Sequence, residues 1–205
     1  MKTDKGTLFV FSGPSGTGKG TILGEYFKKY NDNKLRYSVS ATTRSPRVGE
    51  TDGINYYFVS QDKFKAMIDS DELLEWARFC DNYYGTPKKQ IMDMLSEGID
   101  VILEIETVGA MKIKAKIPEA VMIFVLPPSL SELKSRLTSR GTESADVIKK
   151  RTDEAVREIE QSVKYDYIII NDKIEEAVED FRTIVNSQRL KTNNNKNTIS
   201  EVLKK

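Results

Sequence analysis

Four short apolar runs stand out along the chain: Leu8-Phe9-Val10-Phe11, Val101-Ile102-Leu103, Ala120 through Leu126, and Tyr167-Ile168-Ile169-Ile170. Each is nearly unbroken, so neither face of the strand it predicts is left for water. Between them the apolar spacing widens to three or four residues. Ile22, Leu23, Tyr26 and Phe27 follow that period, as do Leu130, Leu133 and Leu137, and Ile174, Val178, Phe181 and Ile184. A long charged helix is predicted from about Ala145 to Lys164. Another starts at Thr86 as its cap, with Pro87 in its first turn, and is ended by Gly98. Strands covered on both faces and alternating with helices predict an α/β fold with a parallel sheet.

Residues 38–90 break that rhythm. Tyr37-Ser38-Val39-Ser40 reads as a short strand, and a polar, turn-rich stretch runs from Thr42 to Gly53. Tyr56-Tyr57-Phe58-Val59 is aromatic and β-branched, hence strand. Ser60 caps a short helix with Phe64, Met67 and Ile68 on one face. Leu73 through Phe79 is extended. The acid-ended strand is expected to run from Val101 to Glu106. One domain is expected over residues 1–190, with its core in 1–37, 91–127 and 159–190. An inserted mixed α/β lobe occupies 38–90, and a helical hairpin able to act as a lid occupies 128–158. Residues 191–205 form a polar, asparagine-rich, flexible tail.

Composition narrows the chemistry. The 205 residues carry a net charge of +1, with 39% hydrophobic and 31% charged residues. No global field attracts nucleic acid or a membrane, so any anion must be held by local clusters. Cys80 is the only cysteine and there is no histidine. Intrachain disulfides, cysteine-built zinc sites, catalytic triads based on histidine and histidine acid–base catalysis are all excluded. No apolar run has the length of a membrane span. The first five residues do not resemble a secretion signal, so a cytoplasmic location is expected.

The richest chemical signal is Gly13-Pro14-Ser15-Gly16-Thr17-Gly18-Lys19-Gly20-Thr21, placed between a strand and a helix. Glycines let successive N–H groups turn inward as an anion nest, and the helix N-terminus adds its dipole. Lys19 supplies a point charge for the β- and γ-phosphates of a nucleotide. Gly20 stands where the strict pattern has serine or threonine. The nearest hydroxyl is Thr21, one residue later. A magnesium ion would then be held largely by water and phosphate oxygens, with Thr21 contributing through water. Arg44 and Arg47, beside Thr42, Thr43 and Ser45, are a second anion candidate, since arginine offers planar multidentate donors to a phosphate. Taken alone they read more readily as a solvated basic turn.

At this point the chain resembles the guanylate kinases, which phosphorylate GMP with ATP. The resemblance rests on Gly13-Pro14-Ser15-Gly16, Ser40 through Arg47, Gly49-Glu50, Gly53 with Tyr56, Glu75-Trp76-Ala77, Asn82-Tyr83-Tyr84-Gly85-Thr86, Glu104-Ile105-Glu106, and Arg136 through Glu143. These occur in family order over nearly all of residues 6–190. The resemblance implies that Arg44, Arg47, Tyr56 and Tyr84 hold the GMP phosphate. It implies that Glu75 accepts from guanine N1–H and the 2-amino group, with Ser40 and Thr86 on the base edge beside Gly85. Glu104 and Glu106 would face the GMP ribose and base or the metal-water shell. Arg136, Arg140 and Arg151 would be lid arginines over the ATP phosphates, and Asn171 would lie near adenine. Together with Lys19 and Arg44 these arginines form the expected catalytic set. Val108 departs from the glutamine usual in the family.

What the resemblance implies for function is transfer of the ATP γ-phosphoryl group to GMP or dGMP, with Mg2+ as cofactor and ATP as co-substrate. Nucleic acid and membrane are not expected partners. The nucleophile would be a phosphate oxygen already ionised at neutral pH, so no general base is needed. Two alternatives share the fold. One is a kinase for another small acceptor, against which Glu75, Ser40 and Thr86 argue. The other is a catalytically inactive module that binds phosphopeptides, against which Lys19 and the lid arginines argue.

Overall fold

The structure, a computed structural model, describes residues 5–79, 81–138 and 145–204. In chain order the elements are β1 (Leu8–Ser12), α1 (Lys19–Tyr30), β2 (Leu35–Tyr37), β3 (Ala41–Thr42), β4 (Tyr57–Phe58), α2 (Gln61–Asp69), β5 (Leu73–Phe79) and β6 (Asn82–Pro87). They continue with α3 (Lys88–Ser96), β7 (Asp100–Glu104), α4 (Thr107–Lys116), β8 (Val121–Leu126), α5 (Leu130–Thr138), α6 (Ala145–Glu160), β9 (Tyr167–Ile170), α7 (Ile174–Arg189) and α8 (Lys196–Val202).

The main sheet has the strand order β2-β7-β1-β8-β9, and every neighbouring pair is parallel. Alternation along β1 explains its unbroken apolar run. Phe9 and Phe11 face one cluster with Ile22, Leu23, Tyr26 and Phe181, from α1 and α7. Leu8 and Val10 face another with Ile91, Leu95, Ala110 and Ile113, from α3 and α4. The Phe181 ring meets Phe11 and Tyr26 edge-on at centroid distances of 5.3 and 4.8 Å. Such pairs add about 0.5–1.5 kcal/mol each beyond their burial, and these tie α1 and α7 to the central strand.

The fold class matches the sequence expectation, and the two-sided sheet places the functional residues. β1 lies at the middle of the order, so the chain leaves its C-terminal end into the crevice between neighbours reached by opposite crossovers, where ligands bind in open α/β sheets. Residues 13–18 occupy that crevice, and Glu104 ends the adjacent β7. The lobe carries a second sheet, β4-β3-β6-β5, in which β3–β4 is parallel and the other two pairs are antiparallel.

Several details differ from the sequence reading, among them β9, where Ile168 and Ile170 are exposed, and Ser38-Val39-Ser40, which lie between β2 and β3 rather than in a strand. β6 continues through Pro87, which is itself the cap position of α3, so Thr86 is a strand residue rather than a helix cap. The acid-ended strand stops at Glu104, and Glu106 already caps α4. α4 has no counterpart in the periodicity. Its buried positions are Thr107, Gly109, Ala110 and Ile113, mostly small or polar, so no apolar stripe announces it. The tail segment carries a turn at Thr192–Asn194 and helix α8. Its asparagines act as C-terminal caps for α7. Asn194 donates to the Gln188 carbonyl at 2.8 Å, and Asn195 to those of Arg189 and Lys191 at 2.7 and 2.9 Å.

Candidate functional site

The phosphate loop is closed on itself. The Thr17 hydroxyl donates to the Pro14 carbonyl at 2.9 Å. The Lys19 ammonium donates to the carbonyls of Gly13 and Pro14 at 2.7 and 3.1 Å, which holds it across the loop mouth. Gly13 and Gly18 have φ of +143° and +85°. A Cβ on Gly13 would meet the Val125 carbonyl oxygen at 2.4 Å, and one on Gly18 the Asn171 amide nitrogen at 2.4 Å. Both glycines are therefore required by conformation and by close approach.

Asn171 is buried, and its amide donates to the Thr17 carbonyl at 2.7 Å. Its own carbonyl accepts from Arg136 at 3.1 Å, and Arg136 also pairs with Glu132 at 2.9 Å. In this conformation Asn171 and Arg136 buttress the loop. α5 lies close above it, because a Cβ on Gly16 would come within 3.0 Å of Leu137 and 3.2 Å of Leu133. Arg151 is half-buried on α6. Arg140 lies outside the described residues.

Across the cleft, the lobe gathers the second anion candidate. Arg44 presents its guanidinium to the rings of Tyr56 and Phe58 at 5.5 and 5.8 Å. Tyr84 joins Tyr56 edge-on at 6.1 Å. Glu50 pairs with Arg44 and accepts from the Arg47 backbone N–H at 2.7 Å. The Arg47 residue itself is exposed. β3 and β6 bring these groups together: Ala41 faces Gly85 and Thr42 faces Tyr84 in the antiparallel register. Ser40 is half-buried, and its carbonyl accepts from Tyr57 N–H at 2.9 Å.

Glu75 is the buried acid of the lobe, 6% exposed. Its Oε1 accepts from the Thr86 hydroxyl at 2.6 Å. Burial pushes its carboxyl above the usual range near 4.5, against the opposing pull of Thr86 and Lys112. Glu106 lies electrostatically between the halves, within reach of both Glu75 and Lys19. Loss of solvent raises its carboxyl, Lys19 lowers it, and Glu154 raises it further. Glu158 accepts from Thr107 at 3.2 Å and is raised first by its own burial. Glu104 accepts from the Tyr37 hydroxyl at 2.9 Å.

Sequence reasoning assigned no role to Tyr37, Glu50, Lys112 or Gly109. Glu50 could have been found, as an acid six residues from the arginine it pairs with. The others come close only through the fold.

A lysine-bearing phosphate loop thus faces a lobe with an arginine–tyrosine seat and a buried, Thr-bonded carboxylate. The guanylate kinase family model matches residues 5–188. The chain belongs to the guanylate kinase family. A guanylate kinase of Halalkalibacterium halodurans is 50% identical over 191 residues, 93% of each chain. One from Clostridioides difficile is 50% identical over 204 residues, which is 100% of this chain and 98% of that one. The crystal structure of guanylate kinase from Anaplasma phagocytophilum superposes with a TM-score of 0.77 at 31% identity, covering 95% of this chain and 92% of the other. Among the described residues no helix is long and apolar enough to cross a membrane.

Among the described residues there is also no group of three or more acidic or cysteine side chains fit to cage a metal. The oxygens near the loop are nevertheless those magnesium takes. A Cβ on Gly20 would lie 3.6 Å from Glu104 Oε2, and Thr21 is exposed on the same turn of α1. Such a donor set suits a small hard cation that keeps its waters and arrives with nucleotide phosphates.

Proposed function

We propose that this protein transfers the γ-phosphoryl group of ATP to GMP or dGMP, giving ADP and GDP or dGDP. The observation that carries the reading is the buried Glu75–Thr86 pair on the far side of the cleft from Lys19. A carboxylate held in place by a short hydrogen bond accepts from N1–H and the 2-amino group of guanine. Adenine offers neither donor, so AMP would leave a buried acid unpaired.

In this reading Arg44, Arg47, Tyr56 and Tyr84 seat the acceptor phosphate, and Gly13 through Thr21 cradle the donor phosphates. Glu104 and Glu106 line the cleft between the two substrates, and Ser40 and Gly85 border the base. The acceptor oxygen is an anion at neutral pH and needs no base. What remains is to align two polyanions, neutralise them and exclude water. Lys19 leaves its loop carbonyls for the transferring phosphates, and Arg136, Arg140 and Arg151 of the lid, residues 128–158, spread the developing charge. Magnesium would be held by Thr21 and Glu104 through water, and it supplies charge neutralisation on the phosphates. Action on free nucleotides suits the cytoplasm.

The test is a coupled assay of ADP formation. The reading expects turnover that requires both ATP and GMP. ATP consumption that ignores GMP would overturn it.

A further inference from the structure

Gly109 is the third residue of α4, and nothing in the backbone there asks for glycine. Its φ is not among the positive values that side chains avoid. At a regular helical position alanine is the better helix former. The reason for glycine lies across the helix surface. A Cβ on Gly109 would sit 2.7 Å from Oε2 and 3.1 Å from Cδ of Glu75, and 3.6 Å from Cδ1 of Ile105. The first two distances are inside van der Waals contact. The carboxylate has little freedom to retreat, because Glu75 is buried and its Oε1 is bound to the Thr86 hydroxyl at 2.6 Å. The close approach also sets Oε2 beside the first turn of α4, whose leading N–H groups have no partners within the helix and carry the positive end of its dipole.

We infer that Gly109 is a specificity-determining positioning residue, which by carrying no side chain fixes the Glu75 carboxylate where it reads the purine base. The inference rests on Glu75 as the base reader. A methyl group at 109 displaces Oε2 without unfolding the helix, because what it meets is the end of a side chain rather than backbone. Guanine then meets an acid that is present but misplaced. A shift of about 1 Å in a positioning group costs up to about 100-fold in rate.

Three variants, Gly109→Ala, Glu75→Gln and the double, are compared with the parent protein. The acceptors are GMP and inosine monophosphate, which has N1–H but no 2-amino group. For Gly109→Ala, kcat/KM with GMP should fall about 10- to 100-fold. The preference for GMP over inosine monophosphate should shrink, the KM for ATP should hold, and the melting temperature should hold or rise. The double variant should be no worse than Glu75→Gln, since both changes act through one carboxylate.

If Glu75→Gln leaves GMP kinetics unchanged, the base reading falls and the inference with it. If Glu75→Gln is impaired while Gly109→Ala matches the parent, the inference alone is wrong. Equal losses toward ATP and GMP with a lowered melting temperature, or additive losses in the double variant, would also overturn it. Should Gly109→Ala not fold, Glu75→Ala/Gly109→Ala must fold, because the clashing carboxylate is gone. Failure of that double variant contradicts the contact on which the inference stands.

Discussion

Arg44 gives both terminal nitrogens of its guanidinium to the Glu50 carboxylate, each at 2.9 Å. The pair is largely shielded, with Arg44 and Glu50 side chains 16% and 18% exposed. One acid therefore holds the arginine flat over Tyr56 and, through the Arg47 N–H, fixes the turn that carries the second arginine. In the proposed reading the anion seat is built before its anion arrives, which lowers the cost of ordering it on binding.

Glu50→Ala should loosen that seat. Without that carboxylate Arg44 must be ordered by the ligand itself, so KM for GMP should rise severalfold while KM for ATP stays put. A lower KM for GMP would show instead that Glu50 competes with the phosphate. Initial-rate kinetics with each substrate varied in turn make the distinction.

Lys19→Met removes the charge that now bridges the carbonyls of Gly13 and Pro14. Turnover should fall about 100-fold or more, as when other transition-state charge stabilisers are deleted, and circular dichroism should stay unchanged. A variant with half the parent activity would remove Lys19 from the mechanism.

Glu75 sets a pH dependence. Burial raises its carboxyl above the ordinary value, and only the ionised form accepts both guanine donors. Affinity for GMP should weaken as pH drops through that raised value, earlier than for an exposed glutamate. Stability runs the other way. A carboxyl raised in the folded state contributes stability that is full below its unfolded pKa and is lost as pH rises through the folded one. Calorimetry of GMP binding across mildly acid pH should show a weakening that is smaller in Glu75→Gln, where only protonation of the GMP phosphate remains.

Gly24 offers a test of stability free of the chemistry. It is exposed within α1, and a Cβ there would meet nothing within 4 Å. Gly24→Ala should stabilise the protein by about 0.5–1 kcal/mol. Differential scanning calorimetry should show a rise of about 1–4 °C for a chain of this size, with kcat unaltered.

The core of the fold was legible because its central strands β1, β7 and β8 are covered on both sides. Phe9, Phe11, Ile102 and Ile123 had to be apolar whichever face they took. The phosphate loop was legible because glycine spacing has a conformational cause that the φ values of Gly13 and Gly18 bear out. α4 was not legible, since close packing by Gly109 and Ala110 leaves no hydrophobic stripe. Thr86-Pro87 imitated a helix start by residue type alone, while the pairing of Thr86 with Glu75 in β5 kept both in strand. The asparagines of the tail looked like low complexity until their amides were seen to cap α7. Partnerships such as Tyr37 with Glu104, or Glu75 with Gly109, join residues tens of positions apart, and no local pattern records them.

The most direct test of the account is base discrimination, measured as kcat/KM for GMP against AMP in the parent protein and in Glu75→Gln. The account predicts that the parent prefers GMP by about 10⁴-fold, the scale on which a site built to pair with polar donors rejects a substrate lacking them. Glu75→Gln should lose most of that preference through weaker use of GMP. A parent protein that phosphorylates AMP as readily as GMP, or a Glu75→Gln variant with its preference intact, would contradict it.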